Sequence, residues 1–324
     1  MNFKFIVLSI SWVILALISL TIGQFDMSFS EFFSALFGDE SIEKSVILNI
    51  RLPRMLVVSL CGGILGLCGV ALQGLFKNPL VDPKIIGVST GSAFGGCLAL
   101  LFGLSGVYVV ASSFTFGILA FLLLFFIANF VKDKSIFTLI LSGIIINGFF
   151  GALISLTQYL ADNEDVLPNI VFWLMGSFVG SSYDDLKLLF FIASPCIVLL
   201  LMMRWQFNLL SLDEKELKAL GINSQRIKIS VLVLTTILIA TQVSISGNIG
   251  WIGLVVPHMA RLISGANHTD NVLVSFVVGM IFLLLVDNIA RTLTQSEIPI
   301  DIICALVGTP IFAYLLKRNF RNAT

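Results

Sequence analysis

The sequence predicts an all-α polytopic membrane protein with about ten transmembrane helices. Apolar residues make up 57% of the 324 residues and charged residues only 12%, whereas soluble domains have about 45–50% and about 25%. The apolar runs have near-membrane length and are apolar on every face, which favours helices over the alternating strands of an outer-membrane barrel. We expect one transmembrane domain over residues 1–324.

Ten apolar runs separate along the chain, and each predicts one span. Their approximate bounds are 4–22, 54–76, 84–103, 107–131, 135–160, 186–203, 228–246, 249–264, 272–293 and 299–317. The first run is long for the apolar part of a signal peptide and lacks a small-residue cleavage site. We therefore expect it to be retained as the first span.

Lysine and arginine are distributed unevenly between alternate loops. With the N-terminus in the cytoplasm, fourteen of the nineteen lie inside, and five lie outside: Lys44, Arg51, Arg54, Lys187 and Arg291. Cytoplasmic loops carry the excess of positive charge in membrane proteins. Because ten spans return the chain to its starting side, both termini are predicted to be cytoplasmic.

Several function classes lack the residues that they require. The nineteen basic residues balance nineteen acidic ones, which excludes a nucleic-acid binder. Five cysteines and two histidines show no metal-ligand spacing, so no metal site and no cofactor are expected. The chain has no Gly-Lys dipeptide and thus no Walker A loop, and it has no hydrolase motif. We expect no enzymatic activity, and an ATPase, if one is used, must be a separate chain.

Ionisable residues within the spans are few. Asp287 and Arg291 lie one turn apart near the outer end of the ninth span, and their spacing predicts an i,i+4 pair. The span centres lack the acid or histidine relay of a proton- or sodium-driven carrier. This argues against a secondary transporter but leaves it open, because backbone carbonyls also bind Na⁺.

Glycine spacing and two polar segments add local detail. Gly62-x-x-x-Gly66 and the series Gly87, Gly91 and Gly95 place small residues on one helix face, which predicts close helix packing. The outer segment 161–185 predicts a short helix over Val166 to Val179.

The longest charged segment, 204–227, predicts a short amphipathic helix on the cytoplasmic side. Ser211 is a candidate N-cap, Glu214 would complete a capping box, and Gly221 would end the helix. The alternative for this segment is a solvated connector.

Several motifs resemble the iron-siderophore and vitamin B12 permease family of ABC importers, and they follow one another in order from about residue 50 to 317. In the first half they are RLPR at 51–54, QGLFKNPLVDP at 73–83 and GVSTG at 87–91. In the second half they are residues 210–221, IGWIGLVVPHMAR at 249–261, DNIAR at 287–291 and EIPI at 297–300.

The resemblance implies a type II importer permease fold and a set of partners. Two copies of the permease would form a pore as a homodimer in the lipid of a bacterial inner membrane. Two cytoplasmic ATPase subunits would dock on the coupling segment 204–227, and an extracytoplasmic binding protein would deliver the substrate.

The resemblance also implies roles for individual residues. Arg51, Arg54 and Arg291 match the positions that dock the binding protein. The ATPase-coupling positions are Leu212, Asp213, Glu214, Leu217, Leu220 and Gly221. A cytoplasmic gate at the start of the fifth span falls on Ile136 and Phe137.

The expected substrate is an iron chelate, either a ferric siderophore or a haem-like compound. The alternatives are cobalamin as the substrate, and a secondary transporter that works without an ATPase.

Overall fold

The computed structural model describes residues 3–23, 25, 27, 31–32, 34, 41–131, 136–162, 164–210, 212–265 and 267–321. Within these ranges the chain forms helices joined by turns and loops, with no strand. The all-α fold class predicted from the apolar runs is confirmed.

Each of the ten predicted spans coincides with a helix. These helices are α1 (Phe3–Thr21), α3 (Leu52–Leu75), α4 (Val88–Leu101), α5 (Val107–Phe130), α6 (Ile136–Leu160), α8 (Tyr183–Met202), α11 (Ser224–Ser246), α12 (Ile252–Ser264), α13 (His268–Ala290) and α14 (Ile300–Arg321). Shorter helices lie between them, namely α2 (Ile42–Ser45), α7 (Val166–Leu174), α9 (Arg204–Leu210) and α10 (Glu214–Ala219). A π-helical segment, Val46–Arg51, joins α2 to α3 and extends α3 towards its N-terminal side.

Seven of the described helices are long and apolar enough to cross a membrane, and three further apolar helices are shorter. Two of the shorter ones, α4 and α12, begin beside each other inside the bundle. A Cβ placed on Gly253 in the first turn of α12 would lie less than 3.0 Å from the ring of Pro83, just before α4. The chain enters α4 through Gly87, whose φ is +78°, and enters α12 through Trp251, whose φ is +67°.

Helix α3 is the centre of the bundle, and glycine determines how closely its neighbours approach. A Cβ on Gly62 would lie less than 3.0 Å from the carbonyl oxygen of Gly279 in α13, and a Cβ on Gly279 would meet the carbonyl oxygen of Gly62 equally closely. Gly66 has the same relation to the carbonyl oxygen of Ser275. The packing role predicted for this glycine series is confirmed, because any side chain there would push the backbones apart.

The second glycine series packs α4 against its neighbours. A Cβ on Gly91 would lie less than 3.0 Å from Ala120, and one on Gly95 would lie less than 3.0 Å from the carbonyl oxygen of Ser112, both in α5. Helix α7 begins at Val166 as predicted but ends at Leu174. The chain turns at Gly176, whose φ is +73°.

The capping prediction for the coupling segment is wrong by two residues. Helix α10 begins at Glu214, and its N-cap residue is Asp213, whose backbone N–H donates to the Glu216 carboxylate at 3.0 Å. Asp213 is therefore the N-cap residue, in place of the predicted Ser211, which lies outside the described residues. The predicted stop is confirmed: Gly221 has a φ of +70°, and the Ile222 N–H donates to the Leu217 carbonyl at 2.9 Å.

Candidate functional site

A cluster of charged residues joins α1, α3 and α13 at the end of the bundle opposite the coupling segment, called here the outer end for reference. Arg54 lies in the first turn of α3, is 8% exposed, and binds two carboxylates. Its two terminal nitrogens each donate to Glu297 at 2.7 Å, and one of them also donates to Asp287 at 2.7 Å. Asp287 is fully buried. This bidentate arrangement is the strong form of an arginine–carboxylate contact.

The other two arginines of the cluster bind mainly to α1. Arg51 donates to the carbonyl oxygens of Leu20 and Thr21 at 2.8 Å, and so satisfies the last turn of α1. Arg291 donates to the carbonyl and hydroxyl oxygens of Ser19 at 2.6 and 2.7 Å. The predicted pair within α13 is present, with Arg291 Nε 3.7 Å from the Asp287 carboxylate.

The structure brings the three predicted docking arginines together, but it does not place them on an exposed rim. Arg51 and Arg291 are 4% and 5% exposed. Together with Arg54 and Glu297 they line one surface cavity of about 270 Å³. Removing any one of these arginines is therefore expected to cost stability, because each guanidinium is buried and hydrogen-bonded within its own chain.

Sequence reasoning missed the partner of Arg54. Arg54 and Glu297 lie 243 residues apart, so no local spacing connects them. One signal was present in the sequence: Arg54 and Glu297 each lie next to an apolar span without a local partner of opposite charge. A charge that becomes buried must find such a partner elsewhere in the fold. Three arginines and two carboxylates give the cluster, named here the outer arginine cluster, a net charge of +1.

A second polar network lies at the opposite end of α3. Gln73 donates to the carbonyl oxygens of Val81 and Gly253 at 3.2 and 3.4 Å, and accepts from Arg261 at 2.9 Å. The His258 ring lies 2.9 Å from the Pro79 carbonyl oxygen. These contacts hold the loop after α3 against α12, so the motifs at 73–83 and 249–261 lie against each other in the fold.

Within that loop, Asp82 caps the 3₁₀ turn Pro83–Ile86. Its carboxylate accepts from the Lys84 backbone N–H at 2.8 Å. Burial raises the pKa of the Asp82 carboxyl.

The coupling segment lies beside this loop and is only partly exposed. Lys77 donates to the Leu212 carbonyl oxygen at 2.8 Å, which ties the segment to the end of α3. Leu220 is 61% exposed, and Asp213 and Gly221 are also exposed. Leu217 is only 2% exposed. Of the predicted coupling positions, Leu217 therefore points inward, and its side chain packs into its own chain. Glu214 is the first residue of α10.

The two predicted gate residues, Ile136 and Phe137, are the first residues of helix α6. Phe137 is 66% exposed. Ile136 is half-buried and lines a cavity of about 220 Å³ together with Phe125, Gln225 and Lys228. Only Ile136 therefore lies between helices of this chain.

Comparisons with known proteins agree over almost the whole chain. The profile of the FecCD transport family matches residues 11–318. The molybdate import system permease of Haemophilus influenzae is 45% identical over 97% of this chain and 96% of its own length. A probable iron chelatin transport system permease of Helicobacter pylori is 36% identical over 96% of this chain and 97% of its own.

A solved structure is also similar. It is described as an inward-facing conformation of a metal-chelate type ABC transporter, and it has a TM-score of 0.90 and 45% identity over 97% of this chain and 98% of its own. Fold, motifs and full-length similarity agree with one another, and the chain belongs to the FecCD transport family.

Proposed function

We propose that this permease of an ABC importer works as a homodimer with two cytoplasmic ATPase subunits and an outer binding protein, with both of its termini in the cytoplasm of a bacterial inner membrane. The observation that supports this best is an exposed apolar residue, Leu220, at the end of a coupling segment that Lys77 ties to one end of α3. The outer arginine cluster lies at the other end of the same helix.

The uncovered face of helix α6 favours the proposed homodimer. Only 22% of its most apolar stretch is buried within the chain, against 89% for the stretch from Ile42 to Leu75. A Cβ on Gly148 or on Gly151 would meet nothing within 4 Å. Small residues on an uncovered face allow the backbone of a second helix to approach closely. This face therefore suits a second copy, and Phe137 lies at its end. The proposed gate would combine Phe137 on this face with Ile136, which faces the neighbouring helices of the same chain.

Replacing Leu220 by Glu should separate the permease from its ATPase. A carboxylate at the centre of an apolar contact leaves a buried unpaired charge, and hot-spot losses at interfaces reach about 2 kcal/mol or more. We expect ATPase copurification to fall about tenfold or more and ATP-driven uptake in proteoliposomes to be lost. Helix α10 should still form, because Leu220 is exposed.

Leu293→Glu is the matched control, because Leu293 is 62% exposed and follows α13 at the other end of the bundle. It should leave ATPase copurification unchanged. Uptake by the permease alone, driven by an ion gradient, would contradict the proposed importer. Normal ATPase binding by Leu220→Glu would show that the segment is only a connector.

We propose that the binding protein docks above the outer arginine cluster, and that Arg51, Arg54 and Arg291 attract its acidic residues through their charge. Glu297→Gln raises the net charge of the cluster from +1 to +2 and leaves Arg54 paired with Asp287. Charge changes at an interface act mainly on the association rate. We expect about threefold faster association of the loaded binding protein at low salt, with the difference shrinking at high salt.

Asp184→Asn makes the same charge change at an exposed outer site, since the Asp184 side chain is 89% exposed. It should have a smaller effect than Glu297→Gln. Association of Glu297→Gln at the rate of the parent protein would limit the cluster to a structural role.

The proposed substrate is a metal compound, either a bulky chelate or an oxyanion. An iron chelate remains the first candidate, and the Helicobacter pylori relative named for iron chelatin transport supports it. Molybdate is the second candidate, because the Haemophilus influenzae relative with 45% identity is named for molybdate import. Binding of labelled molybdate and of a ferric siderophore to the partner binding protein, followed by uptake of each, distinguishes the two.

A further inference from the structure

A cavity of about 850 Å³ opens at the end of the bundle that carries the coupling segment. It lies between α1, the start of α9 and the start of α13. Its lining residues are Phe3, Lys4, Phe5, Arg204, Ser264, Asp270, Leu273 and Val274.

The cavity lies at the level of several helix ends. Helix α1 begins at Phe3, α12 ends at Ser264, α13 begins at His268, and Arg204 begins α9 directly after α8 has ended. Helices that cross a membrane begin and end near the headgroup region. The cavity is therefore at headgroup depth.

The charged residues that line the cavity have a net charge of +1, which suits a ligand with one negative charge. Arg204 is exposed, and within the described part of the chain no residue forms an ion pair or hydrogen bond with its guanidinium. Lys4 donates to the carbonyl oxygen of Ile263 at 2.6 Å, which fixes its ammonium group at the cavity wall. The one carboxylate, Asp270, already takes part in another interaction. Two cations against one engaged carboxylate leave net positive charge.

The polarity changes with depth along α13. Asp270 lies in its first turn, while Leu273 and Val274 lie three and four residues further on the same face. The charged groups are thus at the mouth of the cavity, and apolar side chains line its wall towards the membrane interior. A small inorganic anion needs no such apolar wall, whereas the acyl chains of a lipid do.

We propose that this cavity binds one anionic phospholipid, whose phosphodiester contacts Arg204 and Lys4 and whose acyl chains lie along α1 and α13. Basic pockets between transmembrane helices at the cytoplasmic surface are suited to anionic headgroups. The site is independent of the substrate and of the outer arginine cluster.

Native mass spectrometry of the purified, delipidated permease tests the proposal, with phosphatidylglycerol or phosphatidylcholine added back. Arg204→Gln removes the unpaired charge, and Arg204→Lys keeps it. Arg226→Gln is the matched control, because Arg226 is an exposed arginine in the first turn of α11 and does not line the cavity. Inorganic phosphate is added in excess as a competitor.

The parent, Arg204→Lys and Arg226→Gln should retain one tightly bound phosphatidylglycerol. Arg204→Gln should bind it about fivefold more weakly, as expected for one cation near an anionic headgroup. Equal binding by Arg204→Gln, or equal binding of phosphatidylcholine, overturns the proposal. Displacement of the lipid by inorganic phosphate also overturns it and identifies a small-anion site instead.

Discussion

Arg54→Met is expected to lower the free energy of unfolding by about 3–5 kcal/mol, the usual cost of removing one partner from a buried ion pair. The change leaves Glu297 without its bidentate partner, and it leaves the fully buried Asp287 with only the longer contact to Arg291. Thermal unfolding of the detergent-solubilised protein measures the loss. Because such a loss is a large fraction of a typical total stability of about 5–15 kcal/mol, poor yield is also expected.

A compensating variant separates charge burial from docking. Arg54→Met combined with Asp287→Asn and Glu297→Gln removes both orphaned charges and should recover most of the stability, since neutral replacements of buried ion pairs are often tolerated. Arg226→Met, at an exposed arginine, should unfold like the parent. Parent-like unfolding of Arg54→Met together with failed association of the binding protein would assign Arg54 to docking alone.

Gly62→Val is expected to prevent normal packing of α3 against α13. Its Cβ would lie less than 3.0 Å from a backbone carbonyl oxygen of Gly279, and backbone has no rotamer through which to move away. Overpacking costs about 1–3 kcal/mol where side chains adjust, and more is expected here. The midpoint of thermal unfolding and the yield of monodisperse protein measure the effect.

Gly148→Val is the control for this change, because a Cβ at this position meets nothing within 4 Å inside the chain. It should unfold like the parent protein while weakening the proposed dimer, which mass measurement reports separately. Parent-like stability of Gly62→Val would mean that α3 and α13 are further apart than the structure shows.

The positions of the membrane helices could be predicted from the sequence because burial in lipid demands long apolar runs. The run at 249–264 was also predicted, although α12 begins only at Ile252. Its first turn lies against Pro83 of the loop before α4, and the Gly250 N–H just before it donates to Asp301 at 2.6 Å. No hydropathy pattern encodes contacts between segments so far apart in sequence. The one-turn pair of Asp287 and Arg291 was predictable because both residues lie on one helix.

The environment of the candidate sites was not predictable in the same way. Hydropathy and loop charge place Arg51 and Arg54 at an outer helix end, but the same signals describe an exposed and a buried arginine equally well. Burial is determined here by Glu297 and by the end of α1, both far away in sequence. Leu217 shows the same limit, since helical spacing does not reveal which face of a short helix packs inward.

The backbone contact between Gly62 and Gly279 has a consequence for alternating access. Two helices that touch through glycine backbone leave no layer of side chains between them to repack, so α3 and α13 must shift together as a single body. That body carries Arg54 at its outer end, and Gln73 ties its inner end to Arg261 of α12. We therefore expect that changes between outward-open and inward-open states would be carried by less tightly packed helices such as α6, and that cross-links between α3 and α13 would leave transport intact.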